Sequence, residues 1–454
     1  MTKDMTKGSP FKLILGFAFP MLLGMLFQQF YNLVDTMIVG KTLGVSALAG
    51  VGATSSINFM IIGFCMGICN GFAIPVAQQF GAGKYSELRK YVFNGYICSA
   101  VFAVVMTALS VVFCAPILRL LNTPDDIFMH AYNYIVIIFA GIPTVFLYNI
   151  VSGIIRSLGD SKTPVYFLVL SSVINIVLDF ILIIYAKMGV AGAGIATVIS
   201  QLVSGVGCTI YMYKKFDILK ANRQENVVRK RYVVNLCYIG VPMGLQYSIT
   251  AIGSTILQSA VNGLGSSYVA AMTAGSKMFN FPCCPFDALG STMATYGGQN
   301  VGAGKIDRLG KGIRAAMIIG AVYSVVALVV LFFTTDYIAL LFVDAAEVEI
   351  IRLTRRFILA SALFYIPLTG VNVYRFCIQG MGYSVFAILA GVFEMLARTL
   401  VAIFLIPVIG FNGACLANPA AWIAADIFLI PAFIHCCNKL KVRHGMKEVK
   451  AAKQ

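Results

Sequence analysis

Charge is what this chain has least of: 11% of its 454 residues are charged, while 59% are hydrophobic. A soluble domain carries about a quarter charged residues, so a water-exposed globule is excluded. Histidine is scarcer still, with three residues, His130, His435 and His444. They stand at the ends of apolar runs or in the tail, which argues against a histidine proton relay. No Walker sequence is present. Gly81-Ala82-Gly83-Lys84 lacks the P-loop spacing, so an ion gradient rather than a nucleotide is the expected energy source. The one acidic doublet, Asp125-Asp126, follows Asn122-Thr123-Pro124 and reads as a helix cap, not as the metal motif of an integral-membrane enzyme such as a prenyl transferase. Cys65 with Cys69, and Cys283 with Cys284, have no histidine spaced to join them, and buried thiols pack as small hydrophobes. No cofactor is expected, and the chain does not read as an enzyme.

Long apolar runs are abundant instead. Segments near 13–40, 46–79, 91–114, 128–155, 164–186, 190–213, 233–262, 268–297, 313–334, 350–379, 385–408 and 411–437 are each long enough to cross about 30 Å of hydrocarbon. They predict an all-α integral membrane fold of twelve transmembrane helices. The first run has no small-residue cleavage site and is expected to remain as a helix.

The runs form two matching sets. Gly81-Ala82-Gly83-Lys84 returns as Gly302-Ala303-Gly304-Lys305. Pro20-Met21 returns as Pro242-Met243, Ile142-Pro143 as Ile366-Pro367, and Gly192-Ala193 as Gly413-Ala414. A duplicated six-helix unit follows. An even number of spans brings the chain back to the side it left, so the two lobes are expected to relate by a pseudo-twofold along the membrane normal, with the pathway between them. The boundaries are an N-terminal lobe 1–213, a hinge-like linker 214–232, a C-terminal lobe 233–437 and a basic tail 438–454.

The net charge of +16 invites a nucleic-acid reading, which the placement of the charges answers. Basic residues gather in alternate segments: Lys84, Arg89 and Lys90; Arg156 and Lys162; Lys214 to Arg231; Lys305 to Arg314; Arg375; and Lys439 to Lys453. The other segments hold Lys41, Arg119, Lys187, Arg352, Arg355 and Arg356. This asymmetry predicts both termini in the cytoplasm and basic segments against an anionic inner leaflet. Membrane lipids are therefore expected partners, and nucleic acid is not.

Ionisable residues inside the runs are costly and persist mainly where they work. Asp35 and Asp179 each lie a few residues below the outer end of their helix, roughly 8–10 Å deep at 1.5 Å per residue. Thr197 reaches a similar depth. Tyr31 shares a helix face with Asp35, and Asn175 with Asp179, by i,i+4 spacing. Two carboxylates, an amide, a hydroxyl and a phenol make a hard-oxygen cluster for a proton or a small cation. At about 4 Å and an effective dielectric near 20, two carboxylates repel by about 4 kcal/mol, so a proton or cation should neutralise the pair. The alternative is that both acids cap helix ends or meet a lysine.

The second repeat does not copy the cluster. Asp35 maps near Leu257, Asn175 to Arg398, Asp179 to Ala402 and Thr197 to Asn418. That half carries Lys277, Asp287, Glu394, Arg398 and Asp426 within its runs. Glu394 and Arg398 are i,i+4 and expected to neutralise each other. Asp287, beside Pro282 and Pro285, is a candidate cation contact. Lys277, Asp287, Glu394 and Arg398 are the candidate residues of a substrate pathway.

Pro20 to Asp35, the repeated Gly-Ala-Gly-Lys turn, Arg156-Ser157-Leu158-Gly159-Asp160, Asn175 to Asp179 and Gly192 to Thr197 together resemble the multidrug and toxic compound extrusion (MATE) transporters over essentially the whole chain. The resemblance implies a two-lobe exporter that exchanges H+ or Na+ for small organic compounds, often cationic and aromatic. It also implies a cation site at Tyr31, Asp35, Asn175, Asp179 and Thr197, with Asp35, Asn175, Asp179 and Thr197 as the ligands of any Na+. Some relatives place coupling acids in the C-terminal lobe. Span 10 here holds Tyr374, Arg375 and Gln379 with no acid nearby, which argues against that arrangement. Pro20 removes a backbone hydrogen bond and makes the first helix the expected hinge. A plasma-membrane monomer is expected. The alternative transport reading is a lipid-linked saccharide flippase of the same superfamily.

Overall fold

The computed structural model describes residues 4–451 apart from 122, 221 and 223. Asn122 of the expected cap, two linker positions and the last tail residues thus lie outside it, as do the side chains of His444 and of 446–451. Among the described residues the secondary structure is helical throughout. The twelve passages are α1 (Pro10–Leu43), α2 (Ser55–Gly81, preceded by a short helix Val45–Ala53), α3 (Tyr85–Val112), α4 (Asp125–Ala140 bent into Ile142–Ser157), α5 (Lys162–Asp179) and α6 (Val190–Lys215). The second set is α7 (Lys230–Asn262), α8 (Ser266–Gly302), α9 (Asp307–Ala339), α10 (Val348–Ala362 bent into Tyr365–Gly380), α11 (Ser384–Leu400) and α12 (Phe411–Ala451). Eight are individually long and apolar enough to cross a membrane, and the bent pairs α4 and α10 add two. The remaining two, α7 and α8, hold more polar residues. The bends, 47° in α4 and 52° in α10, lie just ahead of Ile142-Pro143 and Ile366-Pro367, the same place in both repeats.

Both repeats close their second helix alike. Lys84 N donates to Gln79 O and Gly83 N to Phe80 O; Lys305 N donates to Asn300 O and Gly304 N to Val301 O. This six-to-one, five-to-two pattern needs a left-handed residue, which Gly83 (φ 68°) and Gly304 (φ 73°) supply. The Gly-Ala-Gly-Lys repeat is therefore a helix stop written twice.

The chain forms two compact units. Unit 1 is built from Leu23–Ser248, and unit 2 from Met5–Leu22 with the chain from Ile249 onward. Each repeat's first helix thus begins in one unit and ends in the other. In unit 1, α2 packs on the start of α7 through small residues. A Cβ on Gly71 would stand 2.4 Å from Gly240 Cα, and one on Gly67 2.5 Å from Met243 O. Backbones this close exclude any larger side chain, the usual device for packing helices in lipid. Outward, α9 presents Val322, Val325, Val326, Val329 and Phe333 as an exposed apolar stripe at helical spacing, a face suited to hydrocarbon.

The segments that precede the two first helices are tied down. In unit 2, Met5 N donates to Gln299 Oε1 at 2.8 Å, and Lys305 and Arg308 donate to the carbonyls of Thr6 and Gly8 at 2.9 Å. In unit 1, Arg89 grips both Glu225 oxygens at 2.6 and 2.7 Å, and Asn94 bridges Val227 and Arg229. The linker expected to be hinge-like is therefore clamped to α3. The Arg89 hydrogen bonds, outweighing the partial desolvation of the group, hold the Glu225 carboxyl down to about 2.

Candidate functional site

Three local devices bring the oxygen cluster of unit 1 together. Asp160 caps α5, accepting from Lys162 N, Thr163 N and the Thr163 hydroxyl at 2.9, 3.1 and 2.7 Å. At its other end α5 runs from Asp179 into a π-helical turn, Phe180–Tyr185, where Ala186 N donates to Ile181 O. Such wide turns mark functional positions more often than chance. Then α6 approaches through glycine. A Cβ on Gly192 would sit 3.2 Å from Leu182, and one on Gly194 3.2 Å from Tyr134 O.

The result joins four helices. Asn175 Nδ2 donates to Thr197 Oγ1 at 3.3 Å, and the Thr197 hydroxyl donates to Ala193 O at 3.0 Å. Asp35 of α1 and Asp179 of α5 lie within electrostatic reach of each other. Among the described residues no donor serves the pair. Both Asp179 oxygens, Asp35 Oδ1 and Asn175 Oδ1 are buried acceptors that receive no hydrogen bond. Buried charge left so is strongly unfavourable, whereas hard oxygens of this kind suit a proton or an unhydrated small cation. Asp179 and Asn175 are 0% and 2% exposed. Tyr31 lies within electrostatic reach of both carboxyls. So does Tyr134 of α4, which the sequence reading missed: a tyrosine in an aromatic-rich run carries no signal of its own.

Unit 2 arranges its charges differently. Glu394, Arg398 and Arg375 are all buried. Glu394 Oε2 meets Arg398 Nη2 at 3.4 Å, and its Oε1 pairs closely with Arg375 Nη2. Two expectations are corrected here. Arg375 does not belong to a basic inner segment, because five further residues of α10 follow it and its side chain points inward. Span 10 also does have an acid at hand, since α11 packs beside α10 and delivers Glu394. Lys277 and Asp287 are exposed and stand outside this ion pair, so the four candidate pathway residues do not form one cluster. Among the described residues no group of His, Cys, Asp and Glu is arranged to hold a metal ion.

The MatE family model matches residues 20–181 and again 242–404, once per repeat. The chain is 28% identical over 404 residues to the probable multidrug resistance protein YoeA of Bacillus subtilis (strain 168), covering 87% of this chain and 86% of that protein. It is also 28% identical to the probable multidrug resistance protein YpnP of the same organism, covering 81% and 82%. Among solved structures, a multidrug resistance MATE family transporter of the MOP superfamily in an outward-facing conformation superimposes with a TM-score of 0.91. It shares 21% identity, and the match covers 97% of this chain and 99% of that one.

Proposed function

We propose, on the premise that this chain belongs to the MatE family and is a multi-pass membrane transporter, that it couples inward movement of H+ or Na+ to export of organic compounds from the cytoplasm. The observation that carries this is the Asp35–Asp179 pair, whose buried oxygens lack any donor. At about 4 Å and a dielectric near 20, two ionised carboxylates repel by about 4 kcal/mol. Loading a proton or cation removes that repulsion. A ligand shifts a conformational equilibrium only through its differential affinity for the two states, and a few kcal/mol is enough to invert one.

In this reading Asp35 and Asp179 carry the ion, Asn175 and Thr197 supply neutral oxygens, and Tyr31 closes the site. Pro20 is the hinge. Its ring removes one hydrogen bond from α1, and the change of unit along α1 falls just after it, at Leu22. The protein works as a monomer in the plasma membrane with both termini inside, takes small organic and often cationic, aromatic cargo, and needs no cofactor. The names of YoeA and YpnP favour drug export over saccharide flipping.

The test is ethidium efflux from proteoliposomes, driven separately by a pH gradient and a Na+ gradient. One of the two should drive export, and Asp35→Asn and Asp179→Asn should abolish it while the protein stays monodisperse in detergent. Full gradient-driven efflux by both mutants would overturn the assignment.

A further inference from the structure

The duplication places a second, altered copy of the cation site in unit 2. By the offsets of the repeat, Tyr31 corresponds to Gly253, Asp35 to Leu257, Asn175 to Arg398 and Thr197 to Asn418. The structure keeps the bond between the last two positions: Arg398 Nε donates to Asn418 Oδ1 at 3.2 Å, where Asn175 donates to Thr197 at 3.3 Å. The scaffold is preserved, and its charge is reversed.

Within the ion-pair triad itself, two guanidinium groups face one carboxylate. Glu394 is shared by two guanidinium groups and lies tighter against Arg375. Asp287 and Asp426 lie within electrostatic reach of Arg375. Arg398 is therefore the less compensated cation. It is 5% exposed, and among the described residues its Nη1 is buried with no acceptor. That nitrogen faces Gly253. A Cβ built there would stand 3.5 Å away, and 3.3 Å from Met395 Cα, so the phenol of unit 1 has no side-chain counterpart in unit 2. An orphaned N–H on a buried guanidinium is costly, and the fork of Arg is shaped for carboxylate.

We propose that unit 2 holds an anion-binding site at Arg398, the repeat counterpart of the cation site, which accepts one carboxylate or comparable small anion between Arg398, Asn418 and Gly253. The anion comes either from an acidic or zwitterionic cargo or from free chloride. As a statement about cargo this rests on the transport reading; as a binding site it does not.

Equilibrium binding to the full-length protein in detergent tests it without any gradient. Fluorescein supplies a carboxylate dye, read by polarisation, and ethidium supplies a cationic control. Arg398→Gln should weaken fluorescein binding by roughly tenfold or more, the loss of a hydrogen bond to a charged group, and leave ethidium binding unchanged. Should Arg398→Gln fail to fold, Gly253→Ala leaves both ion-pair partners in place, sets a methyl 3.5 Å from Nη1, and should weaken fluorescein binding similarly. Benzoate competing without chloride assigns the site to cargo, whereas tighter fluorescein binding on replacing chloride with isethionate assigns it to the free anion. Equal fluorescein affinity in wild type and either folded variant overturns the proposal. Asp35→Asn, which tests the coupling reading, should leave fluorescein binding intact, so the two ideas fail separately.

Discussion

Asn175 hands its amide proton to Thr197 at 3.3 Å, tying α5 to α6 one turn from Asp179 and leaving the buried Asn175 carbonyl oxygen without a donor. The bond orients a ligand rather than filling a core. Thr197→Val should keep the volume, free the amide to turn, and lower affinity for the coupling ion by about fivefold, the value of one ordinary hydrogen bond at ~1 kcal/mol. The ion dependence of efflux rate reads this out. An unchanged half-saturating ion concentration would remove Thr197 from the site.

Pro20→Ala restores a backbone donor in α1 and stiffens it. Turnover in proteoliposomes should fall more than drug affinity does. Wild-type export with merely weaker drug binding would point to rigid movement without a hinge.

Orientation is open to chemistry. A cysteine in place of the exposed Lys220 should be shielded from a membrane-impermeant thiol reagent in intact cells and labelled after lysis. Labelling from outside would invert the topology and the direction of transport.

The clamp on the linker has a pH signature. The Glu225 carboxyl is lowered from 4.5 to about 2, chiefly by hydrogen bonds from Arg89. A depressed carboxyl stabilises the folded form above its unfolded value and loses that contribution as pH falls through the folded one. Amide exchange at Glu225 and Arg229, whose N–H groups are bonded, should therefore stay slow down to pH 5 and rise between about pH 4.5 and 2. Glu225→Gln should already raise it at pH 7. Equal protection in the variant would mean that Asn94 alone holds the segment.

Intramembrane acids are rare, so Asp35 and Asp179 stood out in the sequence, and helical spacing supplied Tyr31 and Asn175. The repeat was legible because its turns need glycine at the same places. Other features left no local trace. Glu394 meets Arg375 across the turn between α10 and α11, and Arg375, close to the end of an apolar run, reads as one more basic residue at a membrane boundary. The π turn after Asp179 arises from packing, since its apolar residues suit an ordinary helix equally well. Tyr134 reaches the carboxyls only because α6 has glycine where α4 crosses it.

The seating of Met5 on Gln299 also sets a schedule. The two residues are 294 apart in the chain, and at roughly 5–20 residues per second the first waits about 15 to 60 s on the ribosome for the second. Until then the opening residues of α1 have entered the bilayer without the partners that hold them. A truncated chain that stops in the first repeat can assemble much of unit 1 yet never seat its own beginning. Docking of the first residues thus waits until the second helix of the second repeat has been made, and a membrane protease that recognises an unseated N-terminal segment would discard chains that stop before it.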